Sequence, residues 1–86
     1  MWVMDISNED VSEVVVEIPE GHRHVRTRVL LADGTELLFR EATIANITRA
    51  YLTVKTDPRK SSVRLVGRKL AERKAGYAEW QLLEDE

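Results

Sequence analysis

Apolar and polar residues alternate along most of this chain, and a period of two is the mark of half-buried strands. In residues 11–18, Val14, Val16 and Ile18 share one face, while Glu13, Val15 and Glu17 take the other. The first face is the expected core side. Pro19-Glu20-Gly21-His22 reads as a turn. Alternation resumes over 23–32, where Val25, Thr27, Val29 and Leu31 oppose His24, Arg26, Arg28 and Leu30. Asp33-Gly34 then lies between alternating segments, which predicts a hairpin of 24–32 with 35–40. A two-residue turn with positive φ at its centre is the expected connection.

Further along, 51–56 and 62–70 are expected to form a second hairpin, with Pro58 at the first central position of the turn. A third pair is expected between 63–71 and 77–83, turning through 73–76. Two segments admit either period. Residues 41–50 place Ile44, Ile47 and Tyr51 at helical spacing, yet Thr43, Ile44, Ile47 and Thr48 are β-branched and favour a strand. The apolar parity shifts between Ile47 and Leu52, so a strand with a bulge at 46–50 is preferred. Residues 70–84 can also be written as a helix. Gly76 would cost that helix about 1 kcal/mol relative to Ala, and the alternation Ala78-Trp80-Leu82 favours a strand.

The expected fold is therefore all-β, a single domain over residues 1–86. About six strands would meander as hairpins into a small barrel or rolled antiparallel sheet. A short helix in 41–50 or 70–84 is the alternative. Phe39 and Trp80 are expected in the core. Trp2 is expected either to plug the barrel end or to pack on another subunit. The polar and acidic stretches 1–8 and 84–86 are expected to be flexible.

Bulk composition narrows the class. A chain of 86 residues buries little more than ~60% of its unfolded surface, so its core is thin. It has no cysteine, which removes disulfides and Cys-ligated zinc as supports. The start lacks the basic and apolar run of a secretory leader, and no apolar stretch is long enough for a bilayer. A cytoplasmic location is expected.

The formal net charge of −2 conceals a partition. All thirteen Lys and Arg lie in 23–74, where five carboxylates oppose them for a net of +8. Residues 1–20 carry six acids and 79–86 carry four, with no base in either segment. Such asymmetry directs contacts, either to a polyanion or to acidic segments of the protein itself. By strand parity, Arg26 and Arg28 share one face, as do Arg64 and Arg68. These four form the candidate anion or partner surface, because guanidinium groups suit bidentate contacts. Spare aromatics for base stacking are few. The competing expectation is a basic face neutralised across strands by Glu13, Glu17 and the C-terminal acids.

Catalytic and metal chemistry find little support. His22 and His24, two apart and near Glu20, would make only a weak cation site. No nucleophile elbow, zincin motif or phosphate loop is present. No catalytic residue, metal ligand or cofactor is assigned.

Ala32-Asp33-Gly34-Thr35-Glu36, Ile44-Ala45-Asn46-Ile47-Thr48 and Leu52-Thr53-Val54-Lys55-Thr56-Asp57-Pro58 together resemble the middle of a PilZ domain. That resemblance implies a six-stranded barrel and cyclic di-GMP as ligand. The chain departs from the family's ligand motifs, with Tyr51 in the glycine position and no R-x-x-x-R among Arg23, Arg26 and Arg28. The expected function is a non-catalytic binding or assembly module that acts through self-association or protein contacts. The alternative is a binder of RNA, DNA or nucleotide through the arginine face, and no membrane partner is expected.

Overall fold

The structure, a computed structural model, describes residues 2–70 and 80–85. A 3-10 turn at Asn8–Asp10 leads into β1 (Val11–Glu17), β2 (Arg26–Leu31), β3 (Glu36–Arg40), helix α1 (Glu41–Thr56), β4 (Leu65–Lys69) and β5 (Trp80–Glu84). The strands form two antiparallel sheets, β1-β2-β3 and β4-β5. The architecture is thus mostly sheet with one helix, and the described strands close no barrel. The chain divides into two compact units, residues 1–41 and 42–86.

In the first unit, local chemistry makes both turns. His22 N–H donates to the Pro19 carbonyl at 2.9 Å, and Gly21 supplies φ +80° at the position where a type II turn requires it. The β2–β3 hairpin forms as expected, but its turn is longer. Gly34 N–H donates to the Leu31 carbonyl at 3.0 Å, and Leu31 N–H donates to the Thr35 carbonyl at 2.8 Å. Ala32, Asp33 and Gly34 therefore make a three-residue loop, in which Gly34 alone has positive φ (+93°). Asp33 stays right-handed because its carboxylate accepts from the Thr35 N–H at 2.8 Å, which fixes a type I turn ahead of the glycine.

Register sorts this sheet into two faces. Val14 lies opposite Val29, which lies opposite Leu37; Val16, Thr27 and Phe39 form the next row. Together with Leu31 these are the apolar face. Among the described residues only Leu31 and Thr27 are buried, and Val29, Leu37 and Phe39 are half-buried. The core lies at the central strand and toward β3. The β1 part of the expected core does not form: Val14, Val16 and Ile18 are 52%, 65% and 59% exposed. Their strand is at the sheet edge, so neighbours flank them on one side only. Trp2 is 90% exposed and plugs nothing.

In the second unit, α1 replaces the strand expected at 41–50 and the strand expected at 51–56, so the second hairpin is not formed. The parity shift between Ile47 and Leu52 is the helical period itself, since Ile44, Ile47, Tyr51 and Val54 continue one stripe. Polar side chains are absorbed by bonds back along the helix. Asn46 Nδ2 donates to the Ala42 carbonyl, Thr53 Oγ1 to that of Arg49 and Thr56 Oγ1 to that of Leu52, at 2.7–3.0 Å. Pro58 then occupies the first central position of a turn, as expected, with Lys60 N–H bonded to the Asp57 carbonyl at 3.0 Å. That turn follows a helix rather than joining two strands. The β4–β5 pairing matches the expected third pair, with Leu65 opposite Glu84 and Lys69 opposite Trp80. Its connection at 73–76 lies outside the described residues. Trp80, expected in the core, is exposed. Glu84 completes β5 instead of belonging to a loose tail.

Candidate functional site

The polar face of the first sheet follows from the same register. Glu17, Arg26 and Arg40 form one cross-strand row, Val15, Arg28 and Leu38 the next, and Glu13, Leu30 and Glu36 the third. Arg26 and Arg28 do share this face. Arg28 bridges it diagonally, with Nη2 3.9 Å from Glu17 Oε1 and Nε 3.7 Å from Glu36 Oε1. Arg26 has the Glu17 carboxylate on one side of its row and the Arg40 cation on the other. Three arginines thus stand among three glutamates, and the face is electrically balanced. Arg40 was not among the candidates, although the alternation of 35–40 already assigns it the parity of Leu38 and Glu36. Glu17, Pro19, His22, Arg26, Arg28 and Leu38 border a depression of about 320 Å³. Its mixed charges provide no concentrated pull on an anion.

Arg64 and Arg68 belong to the second unit, and one carboxylate joins them. Arg64 Nη1 donates to Asp85 Oδ2, and Arg68 Nη2 lies 3.5 Å from Asp85 Oδ1. Asp85 N–H returns a 3.0 Å bond to the Arg64 carbonyl, which fixes the acid at the end of the β4–β5 ladder. Lys60 Nζ reaches Glu84 Oε1 at 3.5 Å. Among the described residues, Glu84 and Asp85 are thus the C-terminal acids that neutralise the basic side chains, and β5 carries Glu84 directly. The sequence indicated the acids as a class, while the choice of carboxylate needed the strand register.

The histidines do not converge on a cation site. His24 Nδ1 lies 3.8 Å from Glu41 Oε2, an oxygen that also accepts the Val25 N–H. His22 lines the depression on the polar face. Among the described residues no group of three or more His, Cys, Asp or Glu is placed to hold a metal ion.

Exposed apolar surface is the more distinctive feature. In the first unit it includes Val14, Val16 and Ile18 at or just beyond β1, Trp2, Val3, Met4 and Ile6 ahead of it, and Leu38 on the opposite face of the sheet. In the second unit Ile47, Ala50, Tyr51 and Val54 of α1 face Val63 and Leu65 across an open groove of about 410 Å³. A helix of 16 residues with seven β-branched side chains gains little from propensity, so its stripe needs packing to be stable. Among the described residues no helix is long and apolar enough to cross a membrane. No protein-family model matches the chain, and comparison with curated proteins and with solved structures gives no match.

Proposed function

We propose that this chain is a small, non-catalytic cytoplasmic module that binds by assembling with further copies of itself. The supporting observation is the contrast between what is buried and what is shown. Only Leu31 and Thr27 are buried among the described residues, while Val14, Val16, Ile18, Trp2 and Val3 stay open to solvent. Contiguous apolar surface beyond a few hundred Å² is uncommon on monomers and marks contact sites. Two three-stranded sheets from two copies would also supply the six strands of a rolled sheet. Sedimentation velocity from micromolar to millimolar concentration tests the proposal. A dimer that weakens when residues 1–8 are removed is expected, and a strict monomer throughout would remove it.

The second possibility is a polyanion binder acting through Arg26, Arg28, Arg64 and Arg68, favoured by the juxtaposition of Arg26 and Arg40. It requires steeply salt-dependent binding to RNA or DNA that is lost in Arg64→Glu/Arg68→Glu. The balancing carboxylates at Glu17, Glu36 and Asp85 count against it.

A further inference from the structure

We infer that β1 is the seam of a homodimer, in which two copies pair antiparallel along this edge with Val14 opposite its own counterpart. The inference rests on the self-association proposed above and names its surface.

β1 stands at one edge of the β1-β2-β3 order, so among the described residues no strand lies beside one side of its backbone. Hydrogen-bond alternation identifies the groups on that side. Leu31 N–H points to β3, bonding Thr35, whereas Ala32 N–H points to the β1 side, bonding Asp10. Leu30, Arg28 and Arg26 therefore turn toward β1, and their opposites Glu13, Val15 and Glu17 turn toward β2. Val14 and Val16 present their N–H and C=O groups outward. These same residues expose apolar side chains, so backbone pairing and apolar burial would occur at one place.

The sequence of β1 selects the partner. A two-fold axis normal to the sheet keeps the apolar faces of both copies on one side, and it pairs residues of equal parity. Centring the axis on Val14 sets Glu13 against Val15, Ser12 against Val16 and Val11 against Glu17 of the other copy. Every glutamate then meets a valine. Centring on Val15 sets Glu13 against Glu17 twice, and centring on Glu13 sets Glu13 against itself; like charges directly opposite destabilise a ladder. Centring on Val16 also keeps the glutamates apart, with Glu17 against Val15, but it pairs only residues 15–17 within β1 and runs on toward the Pro19 turn. The Val14 register uses more of β1 and carries the Val14–Val29–Leu37 row across the seam. The register of β1 shifts between Val11 and Glu13, so its regular edge is Glu13–Glu17, five residues or about 17 Å. A contact of this length belongs among the small interfaces.

The chain has no cysteine, so Val14→Cys introduces a single thiol. A hydrogen-bonded antiparallel pair holds its Cα atoms about 5.5 Å apart, inside the span a disulfide bridges. Mild oxidation should convert Val14→Cys to a covalent dimer, while Leu38→Cys, exposed on β3, should stay largely monomeric on a denaturing gel. Val14→Lys should weaken the wild-type dimer at least tenfold. A dimeric wild type whose Val14→Cys form does not cross-link overturns the β1 seam and leaves self-association standing. Equal cross-linking of Val14→Cys and Leu38→Cys also overturns the seam. A monomeric wild type overturns both.

Discussion

Gly34 and Asp33 divide the work of the β2–β3 turn. An alanine Cβ at Gly34 would meet nothing within 4 Å, so Gly34→Ala is penalised by its backbone alone. A left-handed conformation costs an L-residue roughly 1–2 kcal/mol, and Asn tolerates it better. Urea denaturation should show Gly34→Ala destabilised by about 1 kcal/mol and Gly34→Asn by less. Asp33 is exposed, yet the Thr35 amide and hydroxyl both bond its carboxylate and hold its pKa below the ordinary value. The sign follows from linkage: the charged form is favoured by folding, so the contribution is complete at neutral pH. It is lost as pH falls from the ordinary carboxylate range through the lowered value. Asp33→Asn should flatten that acid limb of the stability curve. A carboxylate titration by NMR that gives Asp33 an ordinary value would contradict it.

Among the elements, α1 gives the sharpest test, because one substitution should change sign with the secondary structure. Thr48 is exposed on α1. Thr48→Ala should stabilise the protein by about 0.5 kcal/mol, since alanine is the better helix former. A strand at this position would instead lose stability, so a destabilised Thr48→Ala in thermal or urea unfolding would contradict the helix. This element also shows what the sequence left hidden. Thr43, Ile44, Ile47 and Thr48 signal a strand by their branching, whereas the bonds of Asn46, Thr53 and Thr56 to carbonyls one turn earlier appear only once the helix exists. The places of the turns were legible because their causes are local: Pro19 with Gly21, Asp33 with Gly34, and Asp57 with Pro58 each act within four residues. The type at Asp33-Gly34 was not, since a three-residue loop stands where a two-residue turn was expected. The burial of β1 was not legible, because Val14, Val16 and Ile18 alternate as a central strand would. Edge position is a property of the sheet. The same holds for the arginines, whose parity was visible but whose acidic neighbours were set by register.

At the scale of the molecule, several members of the charge partition meet in short local pairs among the described residues. Glu17 and Glu36 flank Arg28, Asp85 joins Arg64 to Arg68, and Glu84 meets Lys60. Exposed pairs of this kind contribute about 0–1 kcal/mol and are screened by salt. Asp85→Asn should therefore destabilise by less than about 1 kcal/mol in low salt and by almost nothing at 1 M salt, as read by urea denaturation at both ionic strengths. A loss that persists at high salt would mean that Asp85 acts through packing or its backbone contact instead. The contiguity of the first unit has a consequence in time. Among the described residues, every strand partner of β1, β2 and β3 lies within residues 1–41. Hairpins form in about 1–10 μs, whereas synthesis at about 5–20 residues per second needs a few seconds to add residues 42–86. Once residues 1–41 have cleared the ribosome, the N-terminal sheet can thus form and present its valine edge without waiting for residues 42–86 to fold. Neighbouring nascent chains on one message would be the first copies that edge encounters.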